Sequence, residues 1–482
     1  MRGGQVVLQW AEVEPAPGRY DFSVVDAGLA RFSALGKRAT LQINGNLKPA
    51  WLFQQVPSVK EKLSVQVRDA AGTLMFWHPR YQAAHLAMLE ALAGHLRAGP
   101  HLAALLGLRL NFNAIGTEHL HVPAALTEPS AWSEPAGVDR EAAGRFTPAA
   151  HLEYFERVAE AYRRWFADWA VVFVRNNLPE ELRVRWAGQF AAGRLAWFHT
   201  SSEAEPRSAG VERQYGVFFD DCRSGKTVAY AEPWASAWGE HGGGPDPRWC
   251  SPAQWNYWTM LFNLHCGVSF IGEYHANLSY AISGRHGRDA PVDPNAAGPR
   301  EFRAAYAWGA EYVGRHHRPA ESPGAWVAFR QNAAARAPNA KVSEGARRLQ
   351  RFTGDYTWLA ARVDGDGSIG VGPVGPPGSR FGAFARRYSA GQVARVKLDE
   401  AFRRTLEGHV RVRVIAGGEG EGQVRAGSRQ IPLRTDPTRW SETEFAMPVS
   451  EWPREPGVAQ VEVRTLRGHL DVHLIEVRRG PR

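Results

Sequence analysis

The fold is decided by the stretch Leu105-Leu-Gly-Leu-Arg-Leu-Asn-Phe-Asn-Ala-Ile-Gly-Thr-Glu118. Its apolar part, residues 105–110, is too short for a helix, follows a Gly-Pro pair and ends among asparagines and a glycine. This pattern is typical of a buried parallel strand. In a (β/α) barrel, catalytic groups lie at the carboxyl ends of such strands. The stretch therefore predicts a barrel strand that presents the carboxylate of Glu118.

A second stretch, Thr227-Val-Ala-Tyr-Ala-Glu-Pro-Trp-Ala-Ser-Ala-Trp238, has the same form and supplies Glu232. Cleavage of a glycosidic bond uses two carboxyl groups. In the retaining mechanism one protonates the leaving oxygen, and the other, roughly 5–5.5 Å away, attacks the anomeric carbon. Because the carboxyl ends of parallel barrel strands share one face, we expect Glu118 and Glu232 to form such a pair.

Apolar β-type runs alternate with helical patterns as far as residue 318, which predicts an α/β fold of the (β/α)8 TIM-barrel type. The predicted strands are Gln5–Trp10, Arg38–Ile43, Leu105–Leu110, Trp169–Val174, Arg194–His199, the strand of Glu232 and Gly267–Tyr274. These are one strand short of a full barrel. Because the chain opens almost directly into a strand, we expect the first barrel strand to be absent or replaced.

The pattern changes after Pro319. Short alternating or β-branched runs, separated by glycine, proline and aspartate, follow one another to the end of the chain, which predicts an all-β sandwich. A chain of 482 residues also exceeds what one hydrophobic core usually holds. The predicted domains are therefore a barrel over residues 1–318 and a β-sandwich over residues 319–482.

Composition argues against several classes of protein. The net charge of +9 comes mainly from arginines spread along the chain, without lysine-rich runs or stacked-aromatic motifs, so we expect no nucleic-acid partner. The sequence has no run of about 18 apolar residues, which is the length that would predict a membrane span. The chain does not open with a signal-peptide pattern, and its location stays open. The three cysteines lack C-x-x-C spacing, and His119 and His121 beside Glu118 would splay apart at a strand end. We therefore expect no metal and no cofactor.

Aromatic and polar residues near the predicted strand ends are candidates for holding a sugar. Tryptophan stacks on the apolar faces of sugar rings, and the chain contains 18 tryptophans. The core-filling alternative fits Trp165 and Trp169, which are spaced four apart on a predicted helix. The predicted substrate-binding residues are Trp10, Asn44, Asn46, Trp51, Asn113, His199, Trp234, Trp238, Glu273 and His275.

Two motifs carry a resemblance to a known family. These are Trp10-Ala-Glu-Val-Glu-Pro-Ala-Pro-Gly-Arg-Tyr-Asp-Phe-Ser23 and Pro49-Ala-Trp-Leu52, followed by a helix and the acidic strand. Together they resemble the clan A glycoside hydrolases, most nearly the family-42 β-galactosidases. The likeness covers roughly the first 280 residues. It implies an acid/base at Glu118 on the fourth barrel strand, a nucleophile at Glu232 on the seventh, and a carbohydrate substrate.

The sequence departs from the family at Thr117, where the family carries an asparagine that helps to hold the sugar 2-hydroxyl. If the strand count is wrong by one, Glu273 is the nucleophile and Glu232 holds the sugar. Glu203 and Glu205 are lesser candidates. The segment 438–447 and the late run His469–Val477 resemble accessory jelly-roll domains of glycosidases.

Three functions follow from these patterns. The first is a retaining hydrolase of β-linked glycosides, similar to a β-galactosidase. The second is a non-catalytic carbohydrate-binding barrel, suggested by the missing strand and by Thr117. The third is an inverting hydrolase, whose carboxyl groups would lie roughly 6.5–9.5 Å apart.

Overall fold

The computed structural model describes residues 3–118, 132–133, 135–139, 143–176, 178–202, 215–233, 251–285, 290–330, 354–376, 379–452, 455 and 457–480. The chain divides into two compact units, Met1–Phe198 and His199–Arg482. The domain division at residue 318 stays a prediction.

The first unit contains a parallel sheet with helices between its strands. Its strands are β1 (Gly3–Gln9), β2 (Arg38–Asn44), β3 (Ser58–Val59), β4 (Thr73–Leu74), β5 (Leu105–Arg109), β6 (Val171–Arg175) and β7 (Leu195–Ser202), which crosses into the second unit. Its helices are α1 (Trp10–Val13), α2 (Ser23–Ala34), α3 (Pro79–Ala98), α4 (Pro148–Phe166), α5 (Glu180–Arg185) and α6 (Ala187–Ala191). Parallel pairing follows the order β1-β2-β5-β6-β7, whereas β3 and β4 form a separate antiparallel pair.

Local sequence explains where the long helices of this unit begin. Both α3 and α4 carry proline at the first helical position, where the missing N–H costs nothing. The side chains of His78 and Thr147 accept hydrogen bonds from the backbone N–H groups of the first turns, which caps the helix starts. The core of the unit lies between these helices and the sheet, where Leu41, Leu108 and Val172 are buried.

The second unit begins with a parallel pair of strands, β8 (Ala229–Pro233) and β9 (Phe270–Ile271). Its helices are α7 (Pro252–His265), α8 (His275–Ser283), α9 (Ala297–Tyr312) and α10 (Glu400–Arg403). The remaining strands are β10 (Gly324–Ala328), β11 (Tyr356–Trp358), β12 (Ala360–Arg362), β13 (Ile369–Val371), β14 (Ala385–Ser389), β15 (Val393–Leu398), β16 (His409–Gly417), β17 (Gly420–Ala426), β18 (Arg429–Arg434), β19 (Ser441–Pro448) and β20 (Val461–Arg479).

The long strand β20 organises the antiparallel sheet formed by β10–β20. It pairs with β10, β14 and β16 through its second half and with β15 and β17 through its first half. The sequence prediction is therefore confirmed in outline, as parallel strands alternating with helices followed by antiparallel β structure. Closure into an eight-stranded barrel stays a prediction.

Buried hydrogen bonds fix helix α9 to strand β20 inside the second unit. The Glu476 side chain has no exposed surface, and its Oε1 accepts hydrogen bonds from the indole N–H of Trp308 at 2.8 Å and from the hydroxyl of Tyr312. Tyr257 of α7 and His473 of β20 are joined by a further buried hydrogen bond of 2.9 Å between the Tyr257 hydroxyl and Nε2 of His473. Since a buried carboxylate is tolerated only when it is well hydrogen-bonded, this network specifies how β20 packs on the helices.

Because two histidines are buried, we expect the protein to lose stability in mild acid. Burial lowers the pKa values of His85 and His473 to about 3, whereas the unfolded side chain titrates near 6.5. The unfolded state therefore binds more protons between these values, so stability is full above pH 6.5 and falls as the pH approaches 3. At pH 5 each histidine lowers the free energy of unfolding by about 2 kcal/mol.

Urea unfolding followed between pH 7.5 and pH 5 measures this loss. In His473→Gln, which keeps a polar side chain but does not titrate, we expect the loss between these two pH values to shrink by about 2 kcal/mol. The control is His101→Gln, which removes a histidine that is only half-buried. An unaltered pH dependence in His473→Gln would show that His473 is not a buried neutral group.

Candidate active site

Two tyrosine hydroxyls donate hydrogen bonds to the loop that carries Glu118. It follows β5 and turns through Asn113, whose φ of 50° lies in the left-handed region. The hydroxyl of Tyr81 from α3 donates to the carbonyl oxygen of Asn113, and the hydroxyl of Tyr154 from α4 donates to that of Phe112 at 2.5 Å. The Asn113 N–H also donates to the Thr117 carbonyl at 2.9 Å. The turn is therefore fixed by hydrogen bonds rather than by strand pairing.

Glu118 lies between two arginines and is 4% exposed. Arg109 and Arg175 are the last residues of the neighbouring strands β5 and β6, and each places a guanidinium nitrogen 3.5 Å from Oε1 of Glu118. The hydroxyl of Thr117 donates to Oε2. Opposite charges at this distance, together with a donated hydrogen bond, favour the ionised carboxylate.

The neighbours of Glu118 are themselves fixed. Gln66 uses Oε1 to accept hydrogen bonds from the backbone N–H of Thr117 at 3.0 Å and from its hydroxyl at 3.3 Å. Arg109 donates to the side chain of Gln42 on β2 and lies 3.8 Å above the ring of Phe198 on β7. Because these contacts come from different strands, the position of the carboxylate depends on the folded sheet and not on the loop alone.

Glu232 is the second predicted carboxylate and belongs to the second unit. It lies in β8 and is 5% exposed. The hydroxyl of Tyr230 donates to Oε1 at 2.9 Å, and the hydroxyl of Tyr274 donates to Oε2 at 3.2 Å. Both carboxylate oxygens of Glu232 are therefore held in place by hydrogen bonds, and its role as the nucleophile stays a prediction.

The rival nucleophile, Glu273, has different surroundings. Its Oε2 accepts a hydrogen bond from Asn277 of α8 at 2.9 Å. Burial raises the pKa of Glu273 to about 7, although hydrogen bonds from Asn277 and Tyr306 of α9 act in the opposite direction. Glu273 and Glu232 therefore differ in their hydrogen-bond partners, and the choice of nucleophile between them stays a prediction.

Two of the predicted substrate-binding residues have no accessible side chain. Trp10 has no exposed surface; its indole N–H donates to Glu14 at 2.8 Å, and its ring packs against Tyr81 and His85. Asn113 is equally buried and donates to the Ile43 carbonyl at 3.2 Å. These side chains hold the core and the loop together, and their contact with a sugar stays a prediction.

The other predicted sugar-binding residues lie in varied surroundings. Trp51 is half-buried and donates to the Glu14 carbonyl at 3.1 Å. Asn44 is half-buried and accepts a hydrogen bond from Asn111 at 3.1 Å, while Asn46 is 8% exposed and donates to the Gln66 carbonyl at 2.9 Å.

In the second unit, His199 is 5% exposed and packs against the ring of Tyr215, whereas His275 is exposed at the start of α8. Five predictions concern residues that lie outside the described part of the chain, namely Trp234, Trp238, Glu203, Glu205 and the pair His119 and His121.

Sequence reasoning missed the four side chains that surround the two carboxylates. Arg109 could have been identified from the sequence, since an arginine inside the apolar run 105–110 must be buried and therefore paired. Tyr230 also precedes Glu232 by two residues, which places both side chains on the same face of a strand. Arg175 and Tyr274 have no such local signal, because their contacts join separate elements.

The described residues contain no group of three or more histidine, cysteine, aspartate or glutamate side chains arranged to hold a metal ion. None of the helices they form combines the length and the apolar character needed to cross a bilayer.

Comparison with known proteins adds one informative match. Residues 6–106 match the model of glycoside hydrolase family 42, described as β-galactosidase. This match covers about a fifth of the chain, and over those residues it confirms the resemblance to that glycoside hydrolase family. No curated protein matches the sequence.

Solved structures of glycosidases resemble the chain only distantly. Endo-glycoceramidase II from Rhodococcus sp. shares 12% identity over 98% of this chain and 88% of its own, with a TM-score of 0.33. A glucosidase from Croceicoccus marinus shares 9% identity over 100% of this chain and 90% of its own, with a TM-score of 0.34. A β-galactosidase from Rahnella sp. R3 shares 16% identity over 65% of this chain and 52% of its own, with a TM-score of 0.35. At these scores only the family match bears on function.

Proposed function

We propose that the protein is a retaining glycoside hydrolase that cleaves a β-linked glycoside or oligosaccharide in the manner of a β-galactosidase. Glu232 is the nucleophile and Glu118 the general acid/base. The observation that carries this proposal is the environment of Glu232, a nearly buried carboxylate with a tyrosine hydroxyl on each oxygen, in a chain whose amino-terminal segment matches a glycoside hydrolase family.

The proposed reaction has two displacements. In the first, Glu232 attacks the anomeric carbon, the bond to the leaving oxygen breaks, and Glu118 gives that oxygen a proton. In the second, the ionised Glu118 takes a proton from water, the water oxygen attacks the anomeric carbon, and the bond to Glu232 breaks. The reaction consumes one water, and both carboxyl groups return to their starting states.

The arginines beside Glu118 serve the second displacement more than the first. Arg109 and Arg175 favour the ionised carboxylate, which is the form that deprotonates water. The first displacement requires the protonated form, so Glu118 must take up a proton before the leaving group departs. Arg109 and Arg175 therefore favour the charge state that Glu118 has after the first displacement.

The same arginines also favour a second candidate function. A carboxylate held between two guanidinium groups, next to Thr117 where the family has asparagine, fits a non-catalytic carbohydrate-binding barrel. A binding protein needs no proton transfer from Glu118, whereas a hydrolase does. Catalysis and the stereochemistry of the product therefore distinguish the two functions.

The test is hydrolysis of a panel of aryl β-glycosides followed by proton NMR of the sugar first released. Retention gives the β anomer before mutarotation, and this is the expected result, with the aryl β-galactoside as the best substrate. First release of the α anomer would assign an inverting mechanism instead. Galactoside binding without hydrolysis of any member of the panel would establish the binding protein.

A further inference from the structure

One face of the antiparallel sheet carries a dense group of positive side chains. We define this basic face by Arg395 and Lys397 of β15, Arg425 of β17, Arg434 of β18, and Arg464 and Arg467 of β20. Among the described residues of these strands, the same face has two carboxylates, Glu421 and Glu462. Positive charge is therefore in clear excess, on a surface that none of the proposed chemistry at Glu118 and Glu232 uses.

Strand pairing places these side chains in rows across the sheet. Glu462 pairs directly with Arg395 on one side and with Arg425 on the other. Arg467 pairs with Glu421, which in turn pairs with Arg434. Arg464 lies in the row between these two, where it pairs with Val393 and Gln423. Because neighbouring strands lie about 4.8 Å apart, five of the arginine side chains occupy three adjacent rows of one face.

The array is open to solvent while the other side of the sheet is closed. The side chains of Arg395, Arg425 and Arg434 are 40%, 55% and 82% exposed, and Arg464 and Arg467 are exposed as well. On the opposite side Val396, Val424 and Val463 are buried. The sheet therefore has a core face and a charged face, and the charged face is available to a ligand.

Internal ion pairs use only part of this charge. Glu462 contacts Arg395 at 3.2 Å and Arg425 at 2.8 Å, so one carboxylate is shared between two arginines. Exposed pairs of this kind contribute little to stability. Guanidinium groups bind carboxylates and sulfates through paired N–H donors, so rows of them suit a ligand with repeated negative charges.

The composition of the face selects among polyanions. The strands that form it contain no aromatic residue, so it has no platform on which neutral sugar rings or unpaired bases would stack. The amide of Gln423 donates to that of Gln430 at 3.1 Å and adds neutral polar groups suited to hydroxyls. The basic face thus combines positive side chains with amides that can bind hydroxyls, and the chain resembles a glycoside hydrolase family. A glycan that carries carboxylates fits this combination best.

We propose that the basic face is a docking surface for an anionic polysaccharide whose sugars carry carboxylates. This site goes beyond the proposed hydrolysis and does not depend on it. It holds a polymer against the antiparallel sheet by ionic contacts, so its affinity falls as salt screens the charges.

The experiment is affinity gel electrophoresis of the full chain in polygalacturonate, in fully methyl-esterified polygalacturonate and with duplex DNA. Polygalacturonate should retard the protein at low salt, and the esterified polymer, which has the same backbone without the charge, should not. In Arg464→Ser/Arg467→Ser the affinity should fall about tenfold, while Arg464→Lys/Arg467→Lys, which keeps the charge, retains most of it.

The matched control is Arg404→Ser/Arg439→Ser, which removes two exposed arginines outside the basic face. Affinity in this control should stay within about twofold of the wild type. Equal losses in the two serine pairs would mean that net charge alone drives binding. Equal retardation by the esterified polymer, or tighter binding of duplex DNA than of polygalacturonate, would also overturn the proposal. Binding is read without hydrolysis, so inactivity toward aryl glycosides does not affect the result.

Discussion

Glu232→Ala should abolish turnover, with a loss on the order of 10⁴-fold or more, as expected when a covalent nucleophile is removed. Sodium azide should restore activity on an aryl glycoside with a good leaving group. The alanine leaves room for the small anion, which attacks the anomeric carbon from the side that the carboxylate occupied. The product is then a glycosyl azide of inverted configuration, and NMR or mass spectrometry identifies it.

Glu273→Ala is the control for this experiment. Glu273 contacts Asn277 of helix α8 and is not expected to react, so its loss gives no azide product. Azide rescue in Glu273→Ala, with none in Glu232→Ala, would exchange the two assignments and show that the strand count is wrong by one. Full activity of Glu232→Ala would remove the covalent mechanism.

Glu118→Ala should lose activity in proportion to how much help the leaving group needs. General acid catalysis contributes typically 10²–10⁴-fold, so hydrolysis of an alkyl glycoside should fall by roughly that factor. Cleavage of a dinitrophenyl glycoside to the glycosyl enzyme needs no proton and should be nearly unaffected. Pre-steady-state release of dinitrophenol measures this first step separately from the second.

A second pair of variants separates proton transfer from structural damage. Glu153→Ala removes an exposed glutamate of helix α4 and should leave both substrates unaffected. Thr117→Val removes the hydroxyl that donates to Glu118 and should change the pH profile more than the maximal rate. Equal losses on alkyl and dinitrophenyl glycosides in Glu118→Ala would show that Glu118 positions other groups and does not transfer a proton.

Patterns within single elements were sufficient to predict much of the fold. The sequence-predicted strands at residues 38–43 and 105–110 lie within a residue or two of β2 and β5, because buried parallel strands are short apolar runs with clear ends. The start of helix α4 also has a local signal, since Thr147 caps it and Pro148 is its first residue. The unit boundary at residue 198 has no comparable local pattern.

The site was harder to predict, because its contacts join separate elements. Trp10 has the sequence context of an exposed sugar platform, yet Glu14 lies one helical turn later and accepts its indole N–H. Asn113 follows a strand end as a ligand-binding residue would, but Tyr81 and Ile43 surround it with buried backbone contacts. Burial of a polar residue is a tertiary property, so alternation and spacing alone do not reveal it.

The hydrogen bonds of Glu476 limit where this chain can be joined to part of another protein. Cutting the coding sequence at residue 318 would strip Trp308 and Tyr312 of their acceptor and would leave Tyr257 without the imidazole it meets. A β domain borrowed from another enzyme would have to supply a carboxylate and a histidine at the same two places. Exchanging the chain after residue 318 is therefore expected to destabilise helices α7 and α9, which lose these hydrogen bonds.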